Sequence, residues 1–458
     1  MPASNAKLFV GAAALEEFGP DFRFETSVYA EGRVNSSTGQ LQGNLILVGS
    51  GDPNVDARPY VPDEALSEVE TPPSIIKIVD QLQSQGIRSI LGDIVADDSY
   101  FVREPWAESW ELEDLAWGYG APVSSLALNE NCFLLRILPG KAPRTAAIHR
   151  ALPVNPGVHI ANHIRTVAHN SPVAVSMERS PDGETCTFEG EIPSGHSGLQ
   201  YSLPINDPAL FAASQLKTAL EQRRINVSGK AIARTLPRLL MVDGHNQLSP
   251  ERALEHRQSY LDANKLASIR TLRLEENLKR MMKSSRNLYA EMFLRSLGAR
   301  LSGVGSIDTG VAALGQFLNS AGIDPNSWFF SDASGLSRKD VVTPETIVKL
   351  LAYMYERPSR DRFRSLLPVS GLDGTLKFRM REEEVANRIF AKTGSLDLVS
   401  SLSGYAYTKD GKNLAFSIIT NHETAPAKEI RKMIDEICHW MIEHDFEPGG
   451  DLGSTRNQ

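Results

Sequence analysis

The spacing of apolar residues changes rhythm along this chain, and the changes mark out its parts. Lys7 to Leu15 is a run of alanine and apolar residues that predicts a helix ending near Gly19-Pro20. Phe22, Phe24, Thr26 and Val28 then alternate with Arg23, Glu25, Ser27 and Tyr29, the period of a half-buried strand. A polar turn over 35–43 leads to a second strand, Asn44 to Val48, so this stretch predicts a hairpin. Residues 55–73 are acidic and proline-bearing, the mark of a boundary. Beyond them Ile75, Ile78, Val79 and Leu82 share one helical face, with Ser74 placed as the N-cap. A strand over Ser89 to Asp97, a segment holding Trp106, Trp110 and Trp117, and a strand over Cys132 to Leu138 complete a small α+β unit. Residues 140–235 read mostly as β, with one helix from Pro208 to Gln222.

From about residue 260 the period becomes helical. Glu276 to Arg300 is amphipathic but interrupted at Lys283-Ser284-Ser285-Arg286-Asn287. A helix follows Asp308, a short strand spans Trp328 to Ser331, and Thr343-Pro344 opens another helix as cap and first-turn proline. Three strands come next, Arg388 to Lys392, Val399 to Tyr407 and Leu414 to Thr420, the last two joined by Asp410-Gly411, a strong hairpin signal. The helix from Ala427 to Glu443 sets Ile430, Met433, Ile434, Ile437 and Met441 on one stripe, expected to cover that sheet. Residues 448–458 read as disordered.

Composition narrows the function classes. With 458 residues, 41% hydrophobic and 23% charged, the chain is an ordinary soluble protein of several domains. A net charge of −8 argues against a nucleic-acid partner. No apolar run approaches the roughly 20 residues of a transmembrane helix, and no basic n-region of a signal peptide follows Met1. Cys132, Cys186 and Cys438 are far apart and odd in number, so they read as buried thiols, with one disulfide as the alternative. His159 and His163 stand i, i+4, a zinc spacing if helical, but the glutamate of an H-E-x-x-H motif and a third ligand are missing. No metal or cofactor is assigned.

Candidate chemistry begins at the amino terminus. Ser-x-x-Lys occurs as Ser4…Lys7, Ser74…Lys77 and Ser214…Lys217. Ser74 reads as a cap and Ser214 falls inside a helix. Ser4 stands at a helix start, near the positive end of the dipole, with Lys7 on the same face. A neutral amine there can take the hydroxyl proton and make Ser4 a nucleophile. Ser285-x-Asn287 and Lys392-Thr393-Gly394 follow in order, and the ordered set is the signature of penicillin-recognising serine enzymes. Acyl transfer needs a nucleophile, a base, a proton relay and an oxyanion site. Ser4 is expected as nucleophile, Lys7 as base, Ser285 as relay to the leaving amine, and Asn287 as holder of Lys7 and the substrate amide. Lys392 with Thr393 is expected to bind a terminal carboxylate. Gly394 lets substrate backbone lie flat on the strand edge, and the N–H groups of Ser4 and Ser395 form the oxyanion hole. Lys7 must be neutral, although a free lysine titrates near 10.4. Burial and the nearby Lys392 disfavour its ammonium, so the two lysines are expected in opposite protonation states, with Lys7 neutral.

Further motifs widen the match: Gly51-Asp52-Pro53, Gly92 to Ser99, Tyr119-Gly-Ala-Pro122, Met281 to Leu288, Ser334-Gly-Leu-Ser-Arg338, Pro368 to Leu376 and Ala391 to Leu396. With them the chain, from Pro2 to about residue 445, resembles the low-molecular-mass class C penicillin-binding proteins, the D-alanyl-D-alanine carboxypeptidase/endopeptidases of peptidase family S13. The long gap between Ser4 and Ser285 fits that family, which inserts two domains there. The resemblance implies an α+β fold: a transpeptidase/β-lactamase-like domain with an antiparallel sheet and helices from residues 1–25 and 262–458, a mostly-β inserted domain from 26–58 and 140–261, and a nested α+β domain from 59–139. It implies hydrolysis of peptidoglycan stem peptides through an acyl-enzyme on Ser4, β-lactams as inhibitors, no cofactor, and a periplasmic or envelope location. Asp97 and Arg338 match residues lining the pocket for a diaminopimelate side chain. The alternatives are an esterase or β-lactamase on the same fold, and a non-catalytic cell-wall-binding homologue. Oligomeric state is not indicated.

Two departures stand out. Arg286 occupies a position where acidic or amide residues are common, and the charged stretch Tyr260 to Arg273 is longer than the pattern. In the family a signal peptide, a helix and two sheet strands precede the counterpart of Ser4, whereas here only Met1, Pro2 and Ala3 do. The expectation is a sequence lacking its natural beginning, with Leu414 to Thr420 left as an apolar edge strand.

Overall fold

The computed structural model describes residues 1–56, 70–141, 143–154, 156–238 and 264–444. Most of the expected boundary stretch (57–69), the start of the charged stretch (260–263) and the tail from 448 lie outside them. A short 3-10 turn, Ala3–Ala6, runs into α1 (Lys7–Phe18), which ends at Gly19 with φ +80°. Every residue from Lys7 to Leu15 is buried. A helix apolar on all sides has to be enclosed, and α1 is the rod around which the last third of the chain packs. Phe22 and Phe24 do not join the strand that their alternation predicted. They pack with Phe18 and Phe293, ring centroids 5.0 to 6.4 Å apart, and the packing of these rings outweighs the alternation.

The strand β1 (Glu25–Asn35) pairs antiparallel with β2 (Gln40–Val48), the expected hairpin. Next comes α2 (Pro73–Ser84), whose cap is not Ser74 as expected. Pro73 opens the first turn, while Ser74 donates to Asp56 Oδ1 from its Oγ (2.6 Å) and its N (3.3 Å). The capping carboxylate arrives from a distant part of the chain, which local sequence does not show. The strand expected over Ser89 to Asp97 is two, β3 (Ser89–Ile90) and β4 (Ile94–Arg103).

There follow β5 (Cys132–Leu138), β6 (Ile148–Leu152), β7 (His159–Val167), β8 (Ala174–Arg179), β9 (Thr185–Pro193), β10 (Leu199–Pro204), α3 (Pro208–Gln222, capped by Asp207), β11 (Asn226–Val227), β12 (Ala231–Pro237) and β13 (Asn264–Arg270). Among the described residues, seven strands form one sheet in the order β11-β3-β2-β1-β13, with β4 joining β2 to β12. Stretches 26–58 and 59–139, expected as separate units, thus contribute hydrogen-bonded neighbours: β2 and β4 run parallel, with Val48 beside Asp97. Parallel pairing across a helical crossover leaves no local mark in a sequence. The remaining strands make two three-stranded sheets, β10-β5-β6 and β7-β9-β8. His159 and His163 lie on β7, where residues four apart are about 13 Å distant.

The last part carries α4 (Leu274–Lys283), α5 (Asn287–Ser302), α6 (Ile307–Ser320), β14 (Trp328–Phe329), β15 (Val341–Val342), α7 (Pro344–Glu356), α8 (Arg360–Leu366), β16 (Ile389–Leu396), β17 (Val399–Tyr407), β18 (Asn413–Asn421) and α9 (Ala427–Glu443). Thr343 caps α7 by accepting from Thr346 N. The break between α4 and α5 falls at 284–286, and β16-β17-β18 form an antiparallel sheet. Among the described residues β18 pairs on one side only. The helices α1 and α4 to α8 share one core with Tyr405 of β17. On the other face α9 packs Ile434, Cys438, Met441 and Ile442 against Leu402, Ala406 and Phe416. Its buried face is therefore turned from the expected stripe, leaving Met433 (42%) and Ile437 (37%) exposed. The buried thiol of Cys438 takes a place that the pattern had assigned to isoleucine. Among the described residues no helix is long and apolar enough to cross a membrane.

Candidate active site

Residues of the first two motifs, with Ser395 just past the third, line one cavity of about 530 Å³ that also includes Tyr119 and Arg338, and Lys392 of the third motif stands behind it against Ser285. Each side chain arrives on a defined element. Ser4 sits in the 3-10 turn and Lys7 is the first residue of α1. Asn5, beside the nucleophile, is buried and donates to Ser403 Oγ of β17 at 2.7 Å, which fixes the turn to the sheet. Ser285 and Asn287 come from the α4–α5 break, where Ser285 adopts φ +54°, a left-handed conformation that costs a non-glycine residue about 1–2 kcal/mol. Lys392, Thr393 and Ser395 lie along β16.

Lys7 Nζ is fully buried and has three oxygen partners: Ser4 Oγ at 2.8 Å, Asn287 Oδ1 at 2.7 Å and the Ser334 carbonyl at 2.6 Å. Lys392, equally buried, donates to Ser285 Oγ at 2.9 Å and to the Thr393 carbonyl at 2.7 Å. Thr393 Oγ1 donates to Thr375 Oγ1 at 2.7 Å. Asn287 turns its amide outward to the Tyr119 carbonyl at 3.0 Å. The space at Gly394 belongs to the protein: a Cβ there would meet Ser401 Oγ at 2.2 Å and the Pro2 carbonyl at 2.8 Å. This glycine lets the nucleophile turn lie against β16 and β17, a packing reason that differs from the substrate-facing one expected.

Electrostatics separate the two lysines. Burial brings Lys7 down to about 7, opposed by the carboxylates of Asp332, Glu291 and Asp340. Burial, with the neighbouring Lys7 second, holds Lys392 well below the usual lysine range. Burial thus lowers both lysines, and the carboxylates behind Lys7, which no local motif announces, set its surroundings apart from those of Lys392.

Asp97 does not join the site. It is buried on β4, accepts from Ser99 N at 2.9 Å and faces Arg234 at 3.9 Å, and it is absent from the cavity lining. Arg338 does line the cavity, paired with Glu111 at 2.6 Å and donating to the Asp397 carbonyl at 3.1 Å. The acids beside it are Glu111, Glu113 and Asp114 from the Trp-bearing segment, which no motif singles out, and Asp397 between β16 and β17. Arg286 points away from the cavity to Glu130 (3.2 Å), and the same carboxylate takes the buried Arg280 at 2.9 Å. Glu130 thereby braces the α4–α5 break from both sides. Of the other Ser-x-x-Lys serines, Ser214 bonds the Leu210 carbonyl of its own helix at 2.8 Å, and Ser74 is held by Asp56.

Comparison with known proteins identifies the family. Residues 1–440 match the model of the D-Ala-D-Ala carboxypeptidase 3 (S13) family. The chain is 31% identical over 437 residues to the D-alanyl-D-alanine carboxypeptidase of Actinomadura sp. (strain R39), covering 93% of this chain and 74% of that protein. Its fold is that of the crystal structure of penicillin binding protein 4 (dacB) from Haemophilus influenzae, with a TM-score of 0.78 at 23% identity over 97% of this chain and 91% of that one. A second structure of the Haemophilus protein, complexed with a β-lactam, aligns with a TM-score of 0.72 at 22% identity, again over 97% and 91%. With a family match running through nearly the whole sequence, this chain belongs to the D-Ala-D-Ala carboxypeptidase 3 (S13) family.

Proposed function

We propose that this protein is a serine D-alanyl-D-alanine carboxypeptidase, with endopeptidase action on cross-linked stem peptides, working in the cell envelope on peptidoglycan. The observation that carries the reading is the arrangement of Lys7 between Ser4 Oγ and Asn287 Oδ1, beside the Lys392–Ser285 pair. Ser4 Oγ attacks the carbonyl carbon of the penultimate D-alanine as its proton passes to Lys7. The oxyanion is received by the N–H groups of Ser4 and Ser395. On collapse the C–N bond breaks, and the leaving amine takes a proton through Ser285. Water then releases the acyl group from Ser4. A substrate carboxylate docking on Lys392 and Thr393 favours the ammonium of Lys392 and, by charge repulsion, the free amine of Lys7. Binding of the anion thereby readies the base.

Arg338 and the acids Glu111, Glu113 and Asp114 suit the two ends of a diaminopimelate side chain, the arginine its carboxylate and the acids its ammonium. These acids take the part first given to Asp97. β-Lactams acylate Ser4 in the same way; that the Haemophilus relative is complexed with a β-lactam supports β-lactam binding by this fold. The test is labelling with a fluorescent penicillin, with Ser4→Ala as control and mass spectrometry of the digested adduct. Label is expected on the Ser4 peptide. Label on a Ser74 or Ser214 peptide refutes the assignment.

A further inference from the structure

Behind Lys7 lies a group of buried acids that the acyl-transfer steps do not use. Asp332 is fully buried, and its carboxylate accepts five hydrogen bonds. Trp110 Nε1 (2.7 Å), Ser334 Oγ (2.9 Å), Ser337 N (3.0 Å) and Leu336 N (3.1 Å) converge on Oδ2, and Gly335 N (2.8 Å) on Oδ1. Glu291 of α5, also fully buried, accepts from Ala333 N and Ser334 N at 2.9 Å each and pairs with Arg295 at 3.0 Å. The backbone on both sides of Ser334 is therefore held by carboxylates, and the Ser334 carbonyl is the one 2.6 Å from Lys7 Nζ.

A neutral amine carries two N–H bonds and one lone pair. Asn287 Oδ1 and the Ser334 carbonyl account for the two N–H bonds, which leaves the lone pair directed at Ser4 Oγ. The Ser334 carbonyl thus helps decide where the base points. One donor to Asp332 comes from Trp110, in the same segment whose Glu111, Glu113 and Asp114 line the substrate cavity. Ser109 reinforces the link by bonding Ser337 Oγ at 2.6 Å.

We propose that Asp332 is a positioning residue for the base: it ties the Trp110 segment to the Ser334–Ser337 turn, so that the Ser334 carbonyl orients Lys7, and it sets a negative charge behind that amine. The inference rests on the reading of Lys7 as the base. The charged groups facing Lys7 are Lys392 from β16, Glu291 from α5, and Asp332 and Asp340 from the 331–340 loop. Because the Asp332 carboxylate pulls Lys7 upward against burial, removing its charge moves the Lys7 titration further down while loosening the carbonyl. The two consequences have separate readouts.

The experiment measures the penicillin acylation rate against pH, and kcat and KM for a D-Ala-D-Ala peptide, on the full chain as wild type, Asp332→Asn, Asp332→Asn/Asp340→Asn and Trp110→Phe. Labelling of wild-type Ser4 is checked first; its failure removes the underlying reading and not only this inference. In Asp332→Asn the plateau rate is expected to fall about tenfold or more with KM nearly unchanged, and the acid limb to move down by about half a pH unit there or in the double variant. In Trp110→Phe, which alters no charge, the plateau is expected to fall about threefold to tenfold with the limb in place. An unmoved acid limb in both Asp332→Asn and Asp332→Asn/Asp340→Asn overturns the proposal, the double variant being needed because Asp332 holds up the Asp340 carboxyl, which ionises in its place once that charge is gone. So does wild-type acylation by Trp110→Phe, which decides the matter alone if Asp332→Asn does not fold.

Discussion

Gly335 offers a test in which one methyl group probes the whole arrangement. Its φ is +76°, and a Cβ there would lie 1.9 Å from the Ala3 carbonyl oxygen, 2.3 Å from the Ala3 carbonyl carbon and 3.0 Å from Ser4 N. Ordinary contact between heavy atoms is about 3.5 Å, so in Gly335→Ala the 334–336 turn and the nucleophile turn must separate by more than an ångström. Neither side is a flexible side chain that can swing aside: both are backbone. The left-handed conformation costs alanine about 1–2 kcal/mol and parting two packed backbone segments about 1–3 kcal/mol more, which together lower Tm by several degrees. The catalytic cost is separate. The Ser334 carbonyl and Ser4 Oγ contact Lys7 at 2.6 and 2.8 Å from the two sides being pushed apart. Misplacement by about 1 Å costs on the order of 100-fold in rate, or about 2.7 kcal/mol of barrier. Gly335→Ala is therefore expected to melt several degrees below wild type, yet to acylate about 100-fold more slowly. Thermal melting by circular dichroism and stopped-flow acylation with a fluorescent penicillin measure the two. A variant that acylates within about threefold of wild type would refute the reasoning, since the turns would then have parted without moving the reacting groups.

Further predictions concern charge at the cavity. Lys392→Ala is expected to cost D-Ala-D-Ala substrates about 2–4 kcal/mol of transition-state binding; amidated analogues should lose far less, and equal losses contradict carboxylate recognition. Arg338→Ala is expected to spare acylation by simple penicillins but to lower turnover of diaminopimelate-bearing peptides, whereas Asp97→Asn, remote from the cavity, should leave that preference unchanged; a parallel loss in both assays would make Arg338 a structural residue. Because burial brings Lys7 to about 7 and the base must be neutral, acylation should rise with pH through about 7 and level off above it; a flat profile from about pH 5 to 9 rules Lys7 out as the titrating base.

What the sequence determined on its own is local or is carried by ordered motifs. Asp207 before Pro208, Thr343 before Pro344, and Asp410-Gly411 between apolar runs each act within a few residues, and the elements they delimit lie where those signals put them. The ordered Ser-x-x-Lys, Ser-x-Asn and Lys-Thr-Gly motifs pointed to the family because acyl transfer restricts which residue types can serve. Tertiary structure alone decided the rest. The capping carboxylate at α2 is Asp56, and the strand beside β2 is β4, each contact made across a loop or a crossover whose length erases the signal. The buried face of α9 followed the shape of the sheet and took Cys438 and Ile442 instead of Met433 and Ile437. That Glu111, Glu113 and Asp114 line the cavity while Asp97 does not, and that Asp332 and Glu291 stand behind Lys7, depends on which way a chain folded over hundreds of residues turns a side chain. The charge of a buried lysine is set by every carboxylate within a few ångströms, and that neighbourhood is a property of three-dimensional packing that no spacing along the chain encodes.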